Sequence, residues 1–193
     1  MRLTKLAHAL LGASLRPGDT VLDATAGNGH DTMFLARQVG PSGRVYAMDI
    51  QEAALTSARA RLAAESLDAR VTWIPGDHAH LAELLPENTK GRLRAVVFNL
   101  GYLPGGDRSV TTRAASTCAA LESVLALLGP AGLLSVTCYR GHPGGDTEYH
   151  VVREWFTRQG DRLANVRCHT PEKRRDPPVL LFAETAAKKW QAH

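Results

Sequence analysis

The sequence predicts a mostly parallel, doubly wound α/β sheet, and three observations predict it. Short apolar runs alternate with longer stretches of helical periodicity through most of the chain, which is the pattern of repeated strand-helix units. Glycine, proline and small polar residues mark nearly every switch between them. Two strand-like runs then follow one another near the C-terminus, Leu163 to Cys168 and Val179 to Glu184, and these imply an antiparallel strand at the edge. A seven-stranded sheet with helices on both faces results.

Leu3, Leu6, Ala7, Leu10 and Leu11 share one helical face, so the chain opens with a helix that covers the sheet. Arg16-Pro17-Gly18-Asp19 stops it, and Thr20 to Asp23 forms the first strand. The stretch Asp23-Ala24-Thr25-Ala26-Gly27-Asn28-Gly29-His30-Asp31 then turns sharply into a helix running to Val39. Gly27 and Gly29 lack Cβ atoms and let a ligand approach the backbone N–H groups, while Asp31 is placed to cap the helix. A dinucleotide fingerprint would need a third glycine where Thr32 stands, so a nicotinamide cofactor is disfavoured. An ordinary corner with two turn glycines is the plainer alternative.

Arg44 to Met48 is the second strand and delivers Asp49 to its C-terminal end, where ligands sit in open α/β sheets. A carboxylate about 20 residues past the glycines can accept hydrogen bonds from ribose hydroxyls, with Gln51 beside it. It can equally cap the next helix, which runs from Gln51 to Ser66 with Leu55, Ala58 and Leu62 inward. Val71 to Ile74 is the third strand, and it leads to Asp77 and His78 at a third strand end. His78 and His80 lack a nearby third ligand for zinc.

The fourth strand, Leu93 to Leu100, ends in Asn99-Leu100-Gly101-Tyr102-Leu103-Pro104-Gly105-Gly106-Asp107, after which Thr111 or Thr112 caps a helix to Leu128. Gly129-Pro130-Ala131-Gly132 closes that helix and Leu133 to Cys138 is the fifth strand. Arg140-Gly141-His142-Pro143-Gly144-Gly145 then turns into another helix, with Asp146 as a natural N-cap and Glu148 favoured by the positive helix end.

At 193 residues and 44% hydrophobic, the chain suits one domain spanning residues 1–193. No run approaches a membrane span, and nothing resembles a signal peptide, so a soluble, cytoplasmic protein is expected. Cys118, Cys138 and Cys168 form no C-x-x-C pair and read as free thiols. The net charge of +4 lies wholly in residues 108–193, which is compatible with a polyanionic partner or with a solvated basic surface.

The alternating series Asp23-x-Thr25-x-Gly27-x-Gly29 resembles the first motif of class I S-adenosylmethionine (SAM) methyltransferases. Three stretches narrow the likeness: Asp23 to Thr32, Phe98 to Gly106, and Gly141-His142-Pro143-Gly144-Gly145 followed by Glu148. Together they resemble the YtqB/MnmM family over essentially the whole chain. The resemblance implies a Rossmann-like methyltransferase that uses SAM to methylate the exocyclic amine of a wobble 5-aminomethyl-2-thiouridine in tRNA. It implies that Asn28 and Asp31 contact the cofactor's methionine end, Asp49 and Gln51 its ribose, and Asp77 or His78 its adenine, with Gly27 and Gly29 as the turn of the cofactor cradle.

Asn99 would orient the acceptor amine and Tyr102 would stack on an extruded base, the two forming the catalytic pair. Arg140, His142, Lys173, Arg174 and Arg175 are candidate phosphate contacts on a tRNA anticodon arm, each with a solvated surface as its alternative. A homodimer would help so small a chain grip RNA. The family's usual Ser-His pair is Asp77-His78 here, and the loop from Pro171 to Pro178 lacks the usual Asn-rich sequence. Two other readings use the same residues: SAM chemistry on rRNA, protein or a small molecule, and an RNA-binding module that retains SAM without turnover.

Overall fold

The computed structural model describes residues 3–107, 109–171 and 176–186. Its strands are β1 (Thr20–Asp23), β2 (Arg44–Asp49), β3 (Val71–Pro75), β4 (Leu93–Leu100), β5 (Leu128–Cys138), β6 (Leu163–His169) and β7 (Val179–Thr185). They form one sheet in the order β3-β2-β1-β4-β5-β7-β6. β1 pairs parallel with both β2 and β4, and β7 runs antiparallel to β5 and β6. The antiparallel strand therefore lies inside the sheet, one place in from the expected edge. Burial explains this: β7 is an apolar run buried from Val179 to Ala183, whereas β6 leaves most of its residues in solvent. A register shift between Ala164 and Arg167, with Asn165 at φ 53°, kinks β6 and blunts that open edge.

The helices are α1 (Leu3–Ser14), α2 (His30–Val39), α3 (Glu52–Ala64), the single turn α4 (Leu81–Leu84), α5 (Ala114–Leu127) and α6 (Gly145–Arg158). Neighbouring strand residues point to opposite faces, so Val21, Val45 and Val97 pack under α1, α2 and α3, while Leu22, Met48 and Phe98 pack under α4, α5 and α6. Cover on both faces is why the inner strands read as continuous apolar runs.

Chain order reverses between β1 and β4, which makes a crevice beyond their carboxyl ends. β5 begins directly after α5, five residues earlier than the sequence suggests, through a register shift opposite Leu93 and Ala95. Thr185 fastens that irregularity by donating to the Gly129 carbonyl (2.7 Å) and accepting from the Gly132 amide (2.8 Å). Among the described residues, no helix is long and apolar enough to cross a membrane.

Candidate active site

The turn after β1 is built against the second strand. Gly27 (φ 51°) donates its amide to Asp49 Oδ2 at 2.8 Å, and the Gln51 amide donates to Asp49 Oδ1 at 2.9 Å. An ionised carboxylate has about four acceptor positions, so two remain for a diol. Gln51, rather than Asp49, is the N-terminal flanking residue of α3. Gly29 (φ 78°) sits at the start of α2, where a Cβ would lie 2.7 Å from the Ala58 Cβ and 2.9 Å from the Ala58 Cα. Only glycine lets α2 begin this close to α3, and the cradle depends on that approach.

Asp23 lies beneath the turn, fully buried, and accepts from the Thr32 hydroxyl (2.6 Å) and the Thr25 amide (3.3 Å). Burial, followed by the negative charge of Asp31, pushes its carboxyl up to about 7. Thr32, which breaks the dinucleotide pattern, is thus the hydroxyl that satisfies Asp23.

Asp31 does not cap its helix. Gly29 occupies the cap position without a side-chain bond, and Asp31 instead meets His8 Nε2 through Oδ1 and Asn99 Nδ2 through Oδ2, both at 2.6 Å. Asn28, expected at the methionine end, donates its Nδ2 to the Pro104 carbonyl at 3.0 Å, clasping the loop after β4. Asp77 accepts from the Ala79 amide and starts a 3-10 turn, His78–His80. His78 is buried edge-on to Phe98, and burial lowers its pKa. That leaves Asp77 the more open of the two.

Across the crevice, the Asn99 amide donates to Thr25 Oγ1 at 2.7 Å, tying β4 to the cofactor turn. Tyr102 bridges Thr111 in an isolated antiparallel pair, and its ring stands edge-on to His142 at 6.1 Å. Neither Thr111 nor Thr112 caps α5; Arg113 flanks it, and Thr112 donates to the buried Glu148 at 2.7 Å. Glu148 also accepts from Thr117 at 2.6 Å, so it pins the acceptor loop to α5 and is not merely a charge at a helix end. Burial raises its pKa, and the two hydroxyls oppose that shift. Asp146 does not cap α6 either. Gly144 stands at that position in a left-handed conformation, and Asp146 pairs with Arg140 Nε at 2.6 Å. The Arg140 guanidinium lies 5.0 Å from the Tyr149 ring centre, so the side chain is held in place. Lys173, Arg174 and Arg175 lie outside the described residues.

These groups surround one cleft of about 1560 Å³, larger than the ~300–1,000 Å³ that encloses a single small ligand. Of the site residues singled out from the sequence, all the described ones except Gly29 line it. Others line it that were not singled out from the sequence, among them His8, Ile50 and Tyr139. Ile50 had a legible signal, an apolar residue directly after the strand-end carboxylate. It is 61% exposed and offers an apolar flank to a flat ring.

The residues fit SAM by their donor chemistry. Free acceptor positions on Asp49 suit ribose hydroxyls, Ile50 suits adenine, and the glycine turn leaves room at the backbone. A doubly wound sheet with this cradle at its switch point defines a class I SAM-dependent methyltransferase. The "Putative rRNA methylase" family model matches residues 45–184, and the chain belongs to that family. A second model, protein-L-isoaspartate O-methyltransferase, matches residues 2–81 alone.

A chloroplastic tRNA (mnm(5)s(2)U34)-methyltransferase of Arabidopsis thaliana is 42% identical over 191 aligned residues, covering 94% of this chain and 68% of that protein. A crystal structure of a "putative rRNA-methylase" from Clostridium thermocellum is 35% identical with a TM-score of 0.88, covering 94% of this chain and 96% of that one. A Streptococcus mutans structure in complex with SAH is 32% identical with a TM-score of 0.83, covering 96% and 98%.

Proposed function

We propose that this chain methylates the exocyclic amine of wobble 5-aminomethyl-2-thiouridine in tRNA, giving the 5-methylaminomethyl form. The observation that carries the reading is the state of Asn99. Its Nδ2 is committed to Asp31 and its backbone N–H to Thr25, so Oδ1 remains as the acceptor at the inner end of the acceptor loop. An amine N–H is the group that such an oxygen serves. The activity for which the Arabidopsis relative is named supports the same substrate.

Bound SAM supplies an electrophilic methyl group on a sulfonium. Within the cleft, Asp49 holds the ribose, Ile50 flanks the adenine, and Asp77 takes its polar edge. Asn99 Oδ1 accepts a hydrogen bond from the neutral amine and turns its lone pair inward. Tyr102 offers a ring face to the extruded base, a contact worth about 1–3 kcal/mol in single-strand recognition. The nitrogen gains a carbon bond as the carbon-sulfur bond breaks, and the displaced proton passes to solvent at the open mouth. Holding the reactants in line lowers the barrier by converting a bimolecular step into an effectively unimolecular one.

Around that mouth, Arg140 and His142 meet the backbone of the anticodon arm. The cytoplasm is the compartment we assign, and a second copy would widen the basic surface for RNA. Labelled SAM tests the reading on two tRNA pools, one carrying 5-aminomethyl-2-thiouridine and one lacking it, followed by nucleoside mass analysis. Label is expected as the 5-methylaminomethyl nucleoside in the first pool only. Label in both pools, or in neither, would overturn it.

A further inference from the structure

Helix α1 contributes a side chain, His8, to the lining of the cleft, although nothing in its sequence marks it for chemistry. His8 reaches across to Asp31, and its ring is stacked on Phe34 at 3.9 Å between centres with 3° between planes. The His8 and Asp31 side chains are 26% and 14% exposed, so this hydrogen bond is sheltered. Asp31 in turn contacts Asn99, which makes a continuous chain, His8–Asp31–Asn99, from the outer helix to the acceptor end of the cleft.

Each link constrains the next. Burial would raise the Asp31 pKa, but the hydrogen bonds from His8 and Asn99, together with the charges of His8 and His30, outweigh it and hold the carboxyl below its ordinary range. Asp31 is therefore ionised at neutral pH and can only accept. Two orientations follow. His8 must present an N–H at Nε2, and Asn99 must present its NH₂ group, which leaves Oδ1 for the substrate. Without the carboxylate, the amide could rotate and offer N–H groups to an amine whose own N–H groups need an acceptor. Phe34 fixes the plane of His8, and His8 in turn restrains the carboxylate of Asp31.

We propose that His8 and Asp31 are positioning residues for methyl transfer: His8 holds Asp31, and Asp31 sets the Asn99 amide with its oxygen toward the acceptor amine. The proposal rests on the reading of Asn99 as the amine's hydrogen-bond acceptor. It also gives Asp31 a role on the substrate side in place of the cofactor's methionine end, because its Oδ2 holds the Asn99 amide at 2.6 Å.

Single-turnover methylation of tRNA carrying 5-aminomethyl-2-thiouridine tests this, alongside the SAH dissociation constant and the KM for tRNA. Asp31→Asn is expected to slow kcat by about 10- to 100-fold, the scale of a misplaced reacting group. SAH affinity and the tRNA KM should stay within about threefold, and the SAH value also reports that the variant is folded. His8→Ala should slow kcat by less, about tenfold, and His8→Gln, which keeps an N–H near the Nε2 position, should recover most of that loss. In an Asn99→Ala background, Asp31→Asn should cost nothing further, since the amide it orients is gone.

Loss of SAH affinity in step with kcat in Asp31→Asn would return Asp31 to the cofactor and overturn the proposal. So would equal rates in His8→Ala, His8→Gln and wild type, or additive losses in the double variant. The two readings separate cleanly: an unaffected Asn99→Ala overturns the role of Asn99 and this proposal with it, while an impaired Asn99→Ala beside an unaffected Asp31→Asn overturns this proposal alone.

Discussion

Two glycines, Gly29 in the cofactor turn and Gly141 in the loop after β5, show how differently the two sides of the cleft are made. A Cβ on Gly29 would strike α3 at 2.7 Å, whereas a Cβ on Gly141 would meet nothing within 4 Å. Gly105 and Gly144 are similarly open. The cofactor side is a packed corner whose backbone groups are fixed by Asp23 and Asp49. The acceptor side is looser, with Gly101, Gly106 and Gly145 packed but Gly105, Gly141 and Gly144 open, and it is held at points by Glu148, Asn28 and the Tyr102–Thr111 bridge. A small ligand common to many enzymes is served by a rigid cradle. A macromolecular substrate needs an approach from solvent, and the open loops provide one.

Breaking the rigid side should have the largest effect. Gly29→Ala adds a left-handed backbone penalty of ~1–2 kcal/mol to overpacking of ~1–3 kcal/mol against Ala58. Urea unfolding should show a loss of about 2–5 kcal/mol, the sum of those two penalties, with SAH binding lost as well.

Asp23 gives the same side a pH signature. Its folded pKa of about 7 stands above the ordinary 3.8, so its contribution is fully present below pH 4 and is lost as pH rises toward and past 7. At ~1.4 kcal/mol per unit, the loss is about 4 kcal/mol across that range. The stability difference between wild type and Asp23→Asn, measured by urea unfolding from pH 4 to 8, should decline by about that amount. A flat difference would show that burial of Asp23 does not govern its ionisation.

Glu148→Ala sharpens the comparison from the other side. It empties a buried site and strips two threonine hydroxyls of their acceptor, at a cost of about 3 kcal/mol. Methylation should fall further than SAH affinity, because the loosened segment is the acceptor loop. Glu148→Gln, which keeps one oxygen, should do less harm on both measures. Smallest is Gly141→Ala, expected within about 0.5 kcal/mol of wild type by thermal unfolding. A large loss there would mean that the acceptor loops are packed as tightly as the cradle.

The strands, their mostly parallel sheet and the glycine turn were legible in the sequence because they follow local periods and turn chemistry; the strand order was not. Side-chain partners across the cleft were not legible. Asp31, Thr112 and Asp146 all stand where a helix cap is expected, and each is engaged elsewhere, by His8 and Asn99, by Glu148 and by Arg140. A capping rule weighs only neighbouring backbone donors. Asp31 finds its partners 23 and 68 positions away, and no spacing pattern carries that information. β7 could be recognised as a strand from its apolar run, but its place between β5 and β6 depends on which strand leaves residues in solvent. Asp49 was legible at its strand end. The two amide bonds that fix it became visible only in the folded turn.

The most direct test sets SAH affinity beside the single-turnover rate of methyl transfer to aminomethyl-bearing tRNA, in wild type and Asn99→Ala. Removing one preorganised polar group at a reaction centre costs about 10²–10³ in rate. A built cradle and a separate acceptor side predict that loss, with SAH affinity changed by less than about threefold. An unchanged rate, or an affinity that falls together with the rate, would contradict the division of labour between the two sides of the cleft.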